Sequence, residues 1–148
     1  MGEEERTVSG LSDRTREFAL RIVHLYSALP SRRQDLVMGD QLLRSGTSVG
    51  AHFREALRAR SRSEYVAKLN SGLMELEESL YWMELLQGSG TFGPGMLDPL
   101  MKEAESLISI FVSIIKRYRP RARQQAEVKI RQKAEVKLRQ KAEGRRQK

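Results

Sequence analysis

Residues 45–73 read SGTSVGAHFREALRARSRSEYVAKLNSGL, and this stretch decides the fold. Its first half is rich in small residues, and its second half runs on into a segment rich in Glu and Leu. A basic turn at 59–63 separates two segments whose apolar residues recur every three or four positions, as on one face of a helix. Ser61 and Glu64 have the spacing of a capping box, which marks a helix start. The stretch therefore predicts a helical hairpin over 44–86.

Helical periodicity also extends on the N-terminal side of the hairpin. It predicts helix one over 13–29. Helix two should begin near Arg32, because Ser31 and Gln34 match a capping box. Three glycines interrupt helix two, and each costs about 1 kcal/mol relative to Ala in a helix interior. They are Gly39, Gly46 and Gly50. They indicate either a close approach to a neighbouring helix or a kink near Gly46.

The C-terminal side of the hairpin predicts one more helix of the same kind. A loop rich in Gly at 88–95 ends helix three. Asp98 should cap helix four with Pro99 in its first position, and Pro120 should stop it. No alternating segment typical of a strand precedes residue 120. Four helices with mostly short connections predict an all-α, up-down-up-down four-helix bundle over 12–119.

The two ends of the chain differ in charge from this bundle. Residues 1–11 form an acidic leader that we expect to be flexible. Residues 120–148 form a basic tail with an eight-residue repeat, which drifts about 80° per repeat around a helix. We interpret the tail as solvated and disordered or transiently helical, with ordering on nucleic acid as the alternative.

The charge of the chain is concentrated in that tail. Residues 1–119 hold 16 Lys and Arg against 16 Asp and Glu, whereas residues 120–148 hold 11 Lys and Arg against three Glu. The tail thus accounts for the whole net charge of +8. A neutral domain with a cationic appendage points to a polyanionic partner.

Several other classes of protein are disfavoured. The chain has no Cys, and it has no phosphate-binding loop, zinc-protease motif or hydrolase nucleophile motif. His24 and His52 lie in different predicted helices without the Glu-x-x-His spacing of a di-iron bundle. We therefore expect no enzyme activity, no catalytic or metal-binding residues and no cofactor. The absence of a signal peptide and of a long apolar run predicts a cytoplasmic protein without membrane contact.

Basic residues form the candidate binding surface. Four arginines flank the turn between helices two and three, and an up-down-up-down bundle brings the end of helix four and the tail to the same pole. Compensation of the helix dipole explains Arg58 and Lys116 but not Arg60 or Arg62. The predicted nucleic-acid-binding residues are Arg54, Arg58, Arg60, Arg62, Lys116, Arg117, Arg119, Arg121, Arg123, Lys129, Arg131 and Lys133.

Two motifs in the hairpin resemble a known family. They are the Ser- and Ala-rich run at 45–56 and the Ser-x-Ser-Glu-Tyr run at 61–65, which leads into a helix rich in Leu and Glu. The family comprises bacterial four-helix-bundle proteins encoded in intervening sequences of 23S ribosomal RNA genes, and it includes the accessory variability proteins of diversity-generating retroelements. His52 and Ala56 stand where the family usually has Asn and Gly.

The resemblance implies a homopentameric ring that binds RNA or DNA through a basic surface and has no catalytic activity of its own. In retroelement members it also implies a reverse transcriptase as partner. The leading hypothesis is thus a nucleic-acid-binding accessory protein, with RNA as the first expected ligand. The alternative is a structural or protein-interaction bundle of the intervening-sequence type with no link to a reverse transcriptase. An uncharacterised enzyme is a third hypothesis, which the missing motifs argue against.

Overall fold

Five helices make up most of the part of the chain, residues 2–118 and 121–146, that a computed structural model describes. Side chains are described for these residues except at 4–6, 121–125 and 142–146. The helices are α1 (Glu3–Ser27), α2 (Arg33–Leu57), α3 (Arg62–Gly88), α4 (Asp98–Tyr118) and α5 (Arg121–Arg146). These ranges contain no strand, which confirms the all-helical class.

One hydrophobic core takes side chains from α1, α2, α3 and α4. Phe18, Phe53 and Phe111 lie at its centre with at most 1% of their surface exposed. The rings of Phe53 and Phe111 are 6.0 Å apart between centroids. Leu69 and Leu76 of α3 are fully buried beside them. Most of the apolar positions predicted from the sequence therefore face a shared interior, whereas Leu36, Leu57 and Tyr118 are exposed.

Contacts between consecutive helices show that they run antiparallel. Gly46 of α2 lies against Ile22 of α1, and the later Gly50 lies against the earlier Thr15. Between α2 and α3, the hydroxyl oxygens of Ser45 and Ser79 are 2.9 Å apart. α3 and α4 meet at Gly72 and Phe111, and Gln87 donates to Asp98 near their junction at 3.2 Å. Between α2 and α3, the later Glu55 also pairs with the earlier Lys68. The order of contacts therefore reverses along each of these three pairs.

The glycines of α2 mark close approach rather than a break. α2 is continuous from Arg33 to Leu57. A Cβ at Gly39 would collide with Leu29, and a Cβ at Gly46 would collide with Ile22. Close helix contact therefore explains these glycines.

Two helix starts and one helix cap differ from the sequence prediction. α1 begins at Glu3, so the leader predicted to be flexible is helical, and Leu11 is buried where the leader was expected to end. Arg32, not Ser31, is the N-cap of α2, and it makes no side-chain capping bond. α4 begins at Asp98 itself, which moves Pro99 to the second helical position.

The basic tail is also helical, as α5. Ala, Glu, Lys, Gln and Arg dominate it, and their helix propensity outweighs the poor match between an eight-residue repeat and the helical period. The described part of the tail is thus helical, in keeping with the transient helix that was one of the two expected states, and its flexibility stays a prediction. No described helix combines the length and the apolar character that crossing a bilayer requires.

The chain divides into two compact units, Met1–Ile115 and Lys116–Lys148. The first contains the core, and the second contains the last residues of α4 together with α5. The arginines of the turn between α2 and α3 belong to the first unit, and the cations of α5 belong to the second.

Candidate nucleic-acid interface

A capping box fixes the turn between α2 and α3. Ser61 has extended backbone angles, and its hydroxyl accepts a hydrogen bond of 3.0 Å from the backbone N–H of Glu64. The carboxylate of Glu64 in turn accepts from the backbone N–H of Arg60 at 2.9 Å. The first contact satisfies one of the N–H groups that the start of a helix leaves open, and the second satisfies the N–H of the residue before the N-cap. The box predicted from the sequence is confirmed, and it holds Arg60 in a defined backbone position.

Arginine side chains surround this turn on the first unit. Arg54, Arg58 and Arg60 are exposed, and within the described part of the chain no carboxylate pairs with their guanidinium groups. Arg62 is exposed as well, but it is not without a partner. Three of the predicted binding residues, all in the first unit, therefore have side chains that are open to a ligand.

Glu55, the acidic residue that follows Arg54 in the sequence, already forms an ion pair. Glu55 accepts from Lys68 of α3 at 2.7 Å. That hydrogen bond lowers the pKa of Glu55 and raises the pKa of Lys68. Because Lys68 offsets the charge of Glu55, this carboxylate does not neutralise Arg54 or Arg58.

Two open depressions lie along α2 beside these arginines. One has a volume of about 450 Å³ and is lined by Arg54, Glu55, Leu57 and Arg58. The other, of about 290 Å³, lies between α1 and α2 and has Arg16 and Arg54 among its lining residues. Sequence reasoning missed Arg16, because nothing in the pattern of α1 alone shows that it faces α2 across a groove.

The second unit carries the remaining predicted cations. Lys116 and Arg117 are exposed in the last turn of α4, and Lys129, Arg131 and Lys133 are exposed on α5. Arg119 lies outside the described residues, as do the side chains of Arg121 and Arg123. The single pole that would unite these residues with the turn arginines stays a prediction.

Cations on α5 are open to solvent. Side chains from 126 to 141 are all exposed. Arg131 approaches Glu135 at 4.0 Å between Nε and Oε1, and both side chains are largely solvated. Such an exposed pair contributes little stability and leaves the arginine accessible.

The α2–α3 face contains a polar network that has no basic excess. Arg44 binds Glu75 and Glu78, and Trp82 donates from Nε1 to Glu78 at 3.1 Å. His52 lies near this network, and its buried Nδ1 has no hydrogen-bond partner among the described residues. No group of three or more potential metal ligands occurs in the part of the chain described here.

Comparison with known proteins agrees with this architecture. Residues 11–113 match the family described as 23S rRNA-intervening sequence protein. A solved structure from Bacteroides thetaiotaomicron, a protein of unknown function from the S23 ribosomal protein family, is similar with 38% sequence identity. The match covers 74% of this chain and 97% of that one, with a TM-score of 0.69. A search of curated proteins gives no match. Since the matched region spans well over half of the chain and includes the turn arginines, the chain belongs to the 23S rRNA-intervening sequence protein family.

Proposed function

We propose that this protein is a non-enzymatic accessory protein that binds nucleic acid, with RNA as its first ligand. The observation that carries the proposal is the exposure of Arg54, Arg58 and Arg60 without an acidic partner among the described residues. Guanidinium groups bind phosphate oxygens with two parallel hydrogen bonds. An arginine that is not paired with a carboxylate can bind phosphate without first breaking an ion pair. We further infer that α1–α4 form an up-down-up-down four-helix bundle, which holds these arginines on a rigid turn.

The basic helix α5 supports the same function. Residues 126–141 hold six Lys and Arg against two Glu, and all of their side chains are exposed. At about 100° per residue these cations point to all sides of the helix. Such an arrangement suits attraction to a phosphate backbone rather than the reading of base edges.

Fluorescence anisotropy with a labelled single-stranded RNA tests the proposal. The full chain should bind at low salt and lose affinity steeply toward physiological salt, because binding releases counterions. Deletion of residues 120–148 should weaken binding. Equal affinity of the truncated chain would remove α5 from the mechanism, and absence of binding to any nucleic acid at low salt would contradict the function itself.

The proposal extends to assembly as a homopentamer that assists a reverse transcriptase. Exposed apolar residues on α3 support self-association: Met74 is 72% exposed, and Tyr81, two helical turns later on the same face, is 53% exposed. Large exposed apolar side chains on one face are typical of protein interfaces. The same observation favours the second candidate function, a structural or protein-interaction bundle.

Light scattering tests the assembly. The full chain should give a mass of five subunits, and Tyr81→Glu should give a smaller particle because it places a charge in the apolar face. Val37→Glu is the control, since Val37 of α2 is exposed to a similar degree, 54%. If the full chain is a monomer, the pentamer is wrong, but the proposal of RNA binding is not affected.

A further inference from the structure

A groove between α1 and α2 has a floor of small residues. Its lining residues are Ser12, Thr15, Arg16 and Ala19 from α1 and Thr47, Gly50, Ala51 and Arg54 from α2. Each set follows the three- and four-residue spacing of one helix face. Apart from the two arginines, none of these residues is larger than Thr, so the groove stays open with a volume of about 290 Å³.

The groove is cationic although the first unit as a whole is not. Residues 1–115 hold 13 Lys and Arg against 16 Asp and Glu. None of the eight lining residues is acidic. Arg16 is exposed and, like Arg54, has no carboxylate partner in the described part of the chain. Both arginines are therefore available to an anionic ligand that lies in the groove.

The cationic surface continues past the groove along α2. Arg54 lines both the groove and the adjoining depression that contains Arg58. One helical turn, about 6 Å, separates Arg54 from Arg58. Arg16, Arg54 and Arg58 thus form a row of guanidinium groups, unpaired within the described residues, over two depressions that share Arg54 in their lining.

Acidic residues lie beside this row at two places. One is Glu55, which lines the depression with Arg58 and is paired with Lys68. The other is the outer side of α1. Asp13 and Glu17 line a separate depression together with Arg14 and Arg16. Arg14 is engaged there, since it donates to Glu103 of α4 at 3.0 Å from both Nε and a terminal nitrogen. These carboxylates would repel a phosphate from the outer side and leave the groove side open to it.

A row of cations over a narrow groove fits one chain of phosphates. No aromatic side chain lines the groove, so it offers no platform on which bases could stack. Recognition would therefore be of the backbone, independent of sequence. We propose that the α1–α2 groove is the path of a single-stranded RNA backbone, with Arg16 and Arg54 on its phosphates and Arg58 extending the path. This inference rests on the proposed RNA binding and adds Arg16 to the residues responsible.

Charge reversal of Arg16 in the full chain tests the inference. Arg16→Glu should reduce affinity for a labelled single-stranded RNA by about tenfold or more, because it removes a charge-assisted contact and introduces repulsion. Arg33→Glu is the control, since Arg33 at the start of α2 is likewise exposed and unpaired within the described residues. Its affinity should change less than about twofold. An equal loss in both variants would show only a general effect of charge and would overturn the groove.

A second pair of variants blocks the groove without removing an arginine. Thr47 lines the groove, and its hydroxyl donates to the carbonyl oxygen of Leu43 at 2.7 Å. Ser109 of α4 is likewise exposed, and its hydroxyl donates to the carbonyl oxygen of Glu105 at 3.1 Å. Thr47→Glu should weaken RNA binding about tenfold, whereas Ser109→Glu should not. Circular dichroism and thermal unfolding should show that all four variants remain folded, because each site is on the surface.

The outcomes separate this inference from the proposed function. If the wild-type chain binds no RNA at low salt, the function fails. If it binds and both Arg16→Glu and Thr47→Glu bind as tightly as wild type, the groove alone is wrong. A duplex that competes as well as the single strand would also overturn the inference. A change in subunit number on Thr47→Glu alone would assign the groove to contact between copies instead.

Discussion

Gly72 sets how closely α3 approaches α4. A Cβ at this position would lie 2.7 Å from Cε2 of Phe111, a ring that is completely buried and held by its neighbours. A closely packed core has no free volume into which such a ring could move. Gly10 of α1, in contrast, lies on the surface, and a Cβ added there would meet no other atom within 4 Å.

Alanine should therefore have opposite effects at these two glycines. Gly72→Ala should lower the free energy of unfolding by about 1–3 kcal/mol through overpacking, partly offset by the better helix propensity of Ala. Gly10→Ala should raise it by about 0.5–1 kcal/mol, since only the propensity changes. Urea unfolding of both variants measures the difference. Stabilisation by Gly72→Ala would show that the contact with Phe111 is not tight.

Asp35 joins the start of α2 to the loop after α3. Its side chain is buried, and it accepts from Thr91 at 2.7 Å and from Nε of Arg32 at 2.6 Å. The hydrogen bond from Thr91, followed by the contact with Arg32, lowers the pKa of Asp35 although burial opposes the shift. The carboxylate is therefore ionised in the folded chain at neutral pH.

The lowered pKa predicts a dependence of stability on pH. A lowered pKa in the folded state adds stability above the unfolded value of about 3.9, and this contribution is lost as the pH falls below that value. Asp35→Asn should lower the melting temperature clearly at pH 7 and progressively less below about pH 4. Asp13→Asn, on the exposed face of α1, is the control and should change it little at pH 7. If Asp35→Asn lowers the melting temperature equally at pH 7 and below about pH 4, the charge of Asp35 is not the cause of the effect.

At the scale of elements, α5 differs from the other helices because none of its described side chains is buried. Val128 and Ile130 are 52% and 69% exposed, and Val136 and Leu138 are exposed to similar degrees. Most of a helix's stability in proteins comes from packing of one apolar face, and an exposed helix has only its intrinsic propensity. α2, with Leu42, Val49 and Phe53 buried, has that packing.

Hydrogen exchange should show this contrast. Backbone amides of residues 126–141 should exchange far faster than those of residues 42–53, since opening α5 exposes no buried surface. Binding of RNA to the full chain should slow exchange in α5 if its cations contact phosphate. Equal protection of the two segments in the free chain would contradict the exposed state of α5.

Much of the element pattern could be predicted from the sequence, and the exceptions have physical causes. The apolar periods of α2 and α4 are strong, and the capping box at Ser61 and Glu64 places the start of α3 correctly. The start of α1 was missed because only Val8 and Leu11 carry the apolar stripe into the acidic leader. α5 was predicted only as a transient helix because an eight-residue repeat puts its apolar residues on several sides, although its composition favours a helix.

Across the whole molecule, the candidate site could be predicted only in part. Arg54, Arg58 and Arg60 stand out in the sequence because three cations cluster near one turn. Arg16 does not stand out, since its relation to Arg54 arises from the packing of α1 on α2 and the groove between them. A sequence pattern reports the faces of single helices, whereas a groove belongs to two helices at once.

The dependence of RNA affinity on salt tests the central claim most directly. For single strands the logarithm of the binding constant falls with the logarithm of salt concentration by about 0.7 for each phosphate neutralised. Replacement of Arg54, Arg58 and Arg60 by Gln together should therefore reduce the slope by about 2, whereas Arg33→Gln should leave it unchanged. If the slope of the triple variant equals that of the wild-type chain, these arginines do not contact phosphate, and the proposed interface is wrong.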